Sequence, residues 1–190
     1  MKTDPSPQSD AADLFTPSAA RLATLFYETL GELGRFLPVT VDALPPDYRS
    51  LLAHNDHMTV ALEAFHNSLV DVRALAEWRD DASYARASVL SRQTDGAVVQ
   101  FGIMRIWLAD LPPAAQDEIT SKRSPLGRVL IRHNLLRDVE LITLWQIAAG
   151  RVLQNALQLN GSDTIFGRSA QILVDERPTV QLLEIAKLPG

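Results

Sequence analysis

Residues 164–188, TIFGRSAQILVDERPTVQLLEIAKL, contain two apolar runs of strand length around the polar segment DERPT. Side chains alternate between the two faces of a strand, so Phe166, Arg168, Ala170, Ile172 and Val174 share one face, with Gln171 and Asp175 opposite. In the second run Val180, Leu182, Glu184, Ala186 and Leu188 share a face, with Gln181 and Lys187 opposite. Each apolar face thus carries a single charge. For both faces to look into one core, the turn must hold an odd number of loop residues, which sets Arg168 directly or diagonally across from Glu184.

A buried carboxylate is tolerated only when it is paired or protonated, and desolvation raises the pKa of such a group toward the range of a general acid or base. This makes Glu184 the first candidate for chemistry. An Arg168–Glu184 ion pair that only fixes strand register explains the same two residues equally well. Arg86 adds a third inward charge. It sits mid-strand in YARASVL, on the face of Tyr84, Ser88 and Leu90, where an arginine suits bidentate binding of a carboxylate.

The segments SLVDVRALAEW (68–78), YARASVLSR (84–92) and AVVQFGIMRIWL (97–108) read as further strands, the last two joined by the hairpin signal QTDG. DVELITLWQIA (138–148) fits either period, and its β-branched and aromatic content favours a strand. Leu22, Leu25, Phe26, Leu30 and Leu33 recur at helical spacing between residues 17 and 36. MTVALEAFH (58–66) predicts a second helix with Thr59 available as a cap, and Pro112-Pro113 opens a third. In RSPLGRVLI (123–131), Ser124 reads as a cap and Pro125 as the first helical residue. That start would offer the N–H groups of Leu126 and Gly127 to an anion, whereas a packing reading needs Gly127 only for close approach. Strands with hairpin signals between short helices predict one α+β domain on a mainly antiparallel sheet over residues 17–190, behind a Ser-, Pro- and Asp-rich lead-in (1–16) expected to be disordered.

Composition narrows the chemistry. With 190 residues, 46% of them hydrophobic, the chain can bury one sizeable core. The absence of cysteine rules out disulfides and thiolate chemistry, and the net charge of −5 argues against nucleic acid as a partner. No apolar run is long enough for a membrane span or signal peptide, so a cytoplasmic protein without membrane insertion is expected. HNDH (54–57) lacks the spacing of a helical zinc motif, and no metal is expected. Trp78, Trp107 and Trp145 are expected in the core rather than as a stacking platform. Glycine-rich phosphate loops and a G-x-S-x-G elbow are absent.

Taken in order, LLAHNDHMTVALEAFH, YARASVL, VVQFGIMRIWLADLP, SPLGRVL, TIFGRS and LLEIAKLP resemble the motif series of the chorismate lyase (chorismate pyruvate-lyase) family over about residues 50–189. The resemblance implies an antiparallel sheet with helical flaps enclosing an internal cavity. It also implies cofactor-independent carbon–oxygen lyase activity that converts chorismate to 4-hydroxybenzoate and pyruvate, as in ubiquinone or aromatic-compound biosynthesis. Met58 matches the Met-Thr pair that lines the cavity, and Arg86 the carboxylate-binding arginine. Leu126, beside Gly127, matches the leucine whose amide contacts the ligand, and Glu184 the glutamate beside the ring hydroxyl. Arg168 matches the GR arginine. Arg86 and Glu184 are therefore the expected catalytic pair. Two positions depart from the pattern: Ala87 stands where glutamate often follows the arginine, and Phe166 is the aromatic before GR.

Two rival readings follow. A non-catalytic sensor of a small aromatic carboxylate uses the same general fold in transcription regulators, usually behind a basic winged-helix domain, and the acidic, Pro-rich residues before 50 offer no recognition helix. A related lyase acting on another cyclic acid is the other.

Overall fold

The computed structural model describes residues 18–135, 138–160 and 164–189; the expected lead-in (1–16) lies outside them. Seven strands form one antiparallel sheet: β1 (Gly34–Val39), β2 (Val70–Arg79), β3 (Tyr84–Arg92), β4 (Val98–Ile106), β5 (Asp138–Ala149), β6 (Thr164–Val174) and β7 (Arg177–Ala186), in the order β1-β5-β6-β7-β4-β3-β2. The helices are α1 (Ala19–Ala23), α2 (Pro46–Leu52), α3 (Met58–His66), α4 (Pro113–Ser121), α5 (Leu126–Arg132) and α6 (Arg151–Leu157). The domain is α+β, as its alternating strand patterns predict. No helix among the described residues is long and apolar enough to cross a membrane.

Both faces of the sheet are covered. On one, Leu22 of α1 and Leu153 of α6 pack with Phe101, Ile103, Leu183 and Ile185. The other carries two separate clusters. Leu52 and Leu62, from α2 and α3, join Leu90 and Phe166, while Ile119 and Val129, from α4 and α5, join Ile106 and Val180. Double coverage explains why Gln181, expected on a polar face, is 4% exposed: β7 is a central strand buried on both sides.

The hairpin register depends on one residue. Asp175 and Glu176 make a two-residue turn with both φ angles positive, the geometry favoured by the twist of the flanking strands. Such a turn pairs Val174 with Arg177 and Leu173 with Pro178, a register that continued unbroken would oppose Arg168 to Leu183. The register shifts between Leu173 and Ile172, which faces Val180, leaving Thr179 as an extra residue on β7. The bulge supplies the odd count expected of the turn and brings Arg168 directly opposite Glu184.

Several local expectations are corrected. The helix read over 17–36 is the five-residue α1, then a 3-10 turn at Leu30–Glu32, then β1. Helix α1 already ends at Ala23, and at Gly34, the first residue of β1, close backbone approach excludes a side chain: φ is +143°, and a Cβ there would lie 2.3 Å from the Ala148 carbonyl on β5. Leu22 and Leu33 still meet in one cluster, but through tertiary packing. Helices α2 and α6 were not anticipated. The N-cap of α3 is His57, with Thr59 inside the helix. Pro125 rather than Ser124 is the N-cap of α5, and Leu126 is its first helical residue. Trp78 and Trp107 are only partly buried and flank the Arg105 guanidinium, 5.5 and 5.0 Å from its carbon.

Candidate functional site

A cavity lies between the two clusters on the α2–α5 face, with about 600 Å³ of space free of atoms, part of it open to solvent. Its floor is three cross-strand rows set by register. The first holds Arg86, Met104 and Leu182; the second Ser88, Gly102, Glu184 and Arg168; the third Leu90 and Gln100, and it continues beyond the cavity to Ala186 and Phe166. Its roof is the first turns of two helices, His57-Met58-Thr59 of α3 and Pro125-Leu126-Gly127 of α5. All six residues singled out from the sequence, Met58, Arg86, Leu126, Gly127, Arg168 and Glu184, line this one cavity.

The two arginines differ in their partners. Arg168 is fully buried, and its Nε donates to Oε2 of Glu184 at 2.8 Å. Its terminal nitrogens donate to the carbonyls of His54 and Asp56 at 2.9 and 3.0 Å. The guanidinium therefore ties the loop before α3 to the sheet, and Glu184 is a paired carboxylate rather than an isolated one. Arg86 is 2% exposed and has no carboxylate in ion-pair contact among the described residues. One terminal nitrogen donates to the Ile119 carbonyl at 3.3 Å, and its Nε has no hydrogen-bond partner. Burial lowers the pKa of Arg86, while Tyr84 and Glu77, its cross-strand neighbour, act the other way. Burial likewise pushes the Tyr84 hydroxyl up to about 12, so that it stays a neutral donor to Glu77 Oε2 at 3.0 Å.

The helix starts add positive potential. Neither His57 nor Pro125 caps its helix through a side chain, and the first-turn N–H groups of both helices adjoin the cavity. Gly127 also has a packing role: a Cβ there would lie 2.8 Å from Thr59 Oγ1 and 3.1 Å from Thr59 Cβ. The α3–α5 contact is closed by an ion pair between Glu63 and Arg128, and Glu63 also accepts from the Val70 amide of β2.

His57 is held below its usual pKa by burial, with Glu184 and Arg168 acting in opposite directions, which favours a neutral ring in the roof. His54 is lowered first by burial and then by Arg168. In its neutral form Nε2 donates to the Leu51 carbonyl at 2.7 Å and Nδ1 accepts from the Asp56 amide at 3.1 Å, so the imidazole of His54 organises the loop.

Sequence reasoning missed Gln100, Ser88 and His57 as lining residues. The signal for Gln100 was present: in VVQFGIM it alternates with Val98, Gly102 and Met104, the only polar side chain on that stripe.

No protein-family profile matches the sequence, and no curated protein matches it. Solved structures do resemble the fold. The effector domain of PhnF from Mycobacterium smegmatis superimposes with a TM-score of 0.55 at 13% identity, over 70% of this chain and 88% of that one. PhnF from the same organism gives 0.54 at 12%, over 69% of this chain and 63% of that one. The ligand-binding domain of a protein assigned to the GntR family of transcriptional regulators in Bordetella bronchiseptica gives 0.50 at 11%, over 64% and 87%. At these identities the likeness concerns architecture, and that architecture is the chorismate lyase-like fold expected from the motif series.

Proposed function

We propose that this chain binds a small cyclic carboxylate of the hydroxybenzoate class in the cavity beneath α3 and α5. The observation that carries the reading is Arg86, a buried guanidinium on the cavity floor with an unpartnered Nε and no ion-paired carboxylate among the described residues. A buried cation left short of partners is costly to the fold, and a ligand carboxylate supplies the missing acceptors. The starts of α3 and α5 favour the same charge. Leu126 and Gly127 would contribute backbone N–H groups, Met58 and Leu182 apolar wall, and Glu184 an acceptor for a ring hydroxyl. The fold neighbours include a ligand-binding domain and an effector domain, which supports binding and sensing as the primary reading.

One observation favours a second reading, the chorismate pyruvate-lyase reaction. Glu184 lines the cavity in the row next to that of Arg86, which supports a role for it beside a ring hydroxyl. Loss of pyruvate from chorismate breaks the ring-to-enolpyruvyl C–O bond and removes a ring proton, with aromatisation as driving force. The protein's part would be to hold both carboxylates and the ring hydroxyl in register.

A single experiment separates the two. Purified protein is mixed with chorismate, products are followed by chromatography, and unfolding is measured with 4-hydroxybenzoate present. Thermal stabilisation without turnover supports the binding module. Stoichiometric pyruvate and 4-hydroxybenzoate, abolished by Arg86→Ala, establish the lyase. The absence of both stabilisation and turnover refutes the carboxylate assignment.

A further inference from the structure

The side chain of Gln100 is 6% exposed, lines the cavity, and has an enclosed Oε1 with no hydrogen-bond partner. Its backbone belongs to the third row of the floor, but its carboxamide folds back toward the second. Nε2 lies 3.3 Å from where a Cβ on Gly102 would stand, and Gly102 is flanked in its row by Ser88 and Glu184. The absence of a side chain at Gly102 opens that space, and the Gln100 amide overhangs it. Buried amides are nearly always hydrogen-bonded, so one left unsatisfied beside a ligand cavity calls for a partner that the protein itself does not supply.

We propose that Gln100 sets the specificity of this cavity by hydrogen-bonding a second hydroxyl on the ligand ring, adjacent to the one facing Glu184. The inference rests on the carboxylate-binding reading and deepens it: the preferred ligand is a cyclic carboxylate with two vicinal hydroxyl groups. The geometry follows from the rows. Arg86 on β3 and Glu184 on β7 lie in consecutive rows, roughly 6.5–7 Å apart along the strands and two strand spacings, roughly 9.5 Å, apart across the sheet, so a para-hydroxybenzoate reaching between their side chains lies over Gly102. With those ends fixed, the ring position next to the hydroxyl on the β3 side meets Ser88 and the overhanging amide. A hydroxyl is both donor and acceptor, so it satisfies either end of the carboxamide. A site built to hydrogen-bond a hydroxyl discriminates strongly against the analogue lacking it, because the protein group is then left unpaired.

The test compares benzoate, 4-hydroxybenzoate and 3,4-dihydroxybenzoate by calorimetric titration against wild type, Gln100→Leu and Arg86→Met. Wild type is expected to bind the dihydroxy acid at least about tenfold tighter than the monohydroxy acid, with that ratio falling to about one in Gln100→Leu. If Gln100→Leu does not fold, Gln100→Met, unbranched and of similar length, reads the same ratio. A wild-type ratio near one, or a ratio unchanged by the substitution, overturns the role of Gln100 while Arg86-dependent binding leaves the carboxylate reading standing. Absence of binding by all three acids, or binding indifferent to Arg86→Met, overturns both.

Discussion

Arg168 and Glu184 are direct cross-strand partners on β6 and β7, joined by a 2.8 Å Nε–Oε2 hydrogen bond at the floor of the cavity. The same guanidinium holds the carbonyls of His54 and Asp56. One side chain thus neutralises the inward carboxylate and anchors the loop that leads into α3.

Removing the cation strands the carboxylate. Arg168→Met is expected to destabilise the protein by about 3–5 kcal/mol in urea unfolding. The double variant Arg168→Met with Glu184→Leu should recover much of that loss, because replacing both members of a buried pair by apolar groups is often near neutral. Equal destabilisation in the single and double variants would contradict the pairing.

Arg86 predicts the opposite balance. Arg86→Met removes a buried charge with an unpartnered Nε, so the unfolding midpoint should hold or rise. Affinity for 4-hydroxybenzoate should fall by at least about tenfold. A variant that unfolds readily yet binds normally would show that Arg86 serves the core.

Gly127 joins packing to the site. Gly127→Ala drives a methyl group into Thr59, and a loss of about 1–3 kcal/mol is expected. Adding Thr59→Ala should return part of it, since the 2.8 Å contact is with Thr59 Oγ1 and the 3.1 Å contact with Cβ remains. Thermal unfolding of the single and double variants against wild type measures both effects.

Acid sensitivity follows from the histidines. His54, His57 and His66 are all lowered from the usual 6.5, each chiefly by burial. The unfolded chain therefore binds more protons than the folded one between those lowered values and 6.5, and stability rises with pH in that window. The stabilisation is complete above the unfolded value and is lost as pH falls through the window. Unfolding midpoints should drop between about pH 7.5 and pH 5.5, with proton uptake on unfolding, and His57→Asn should flatten part of the slope. A slope unchanged by that substitution would remove His57 from the account.

The alternation of apolar residues around Arg86, Arg168 and Glu184 was enough to place three charges on inward faces, because the period of a strand is a local property. Asp-Gly before β4 and the β-branched content of β5 likewise located their elements. Local pattern failed where the backbone makes long-range contact. What reads as one helix over 17–36 ends at Ala23, and from Gly34 the chain runs as β1 in close backbone contact with β5. At Thr179, a single bulged residue decides that Arg168 meets Glu184 rather than Leu183. Only tertiary structure separated the arginines. The acceptors that satisfy Arg168 come from a loop more than a hundred residues earlier in the chain, whereas Arg86 makes a long bond to Ile119 and its Nε finds no partner among the described residues. Sequence determined which charges are buried, since burial follows from strand period. Which of them is fully partnered within the protein depended on groups brought together by the fold.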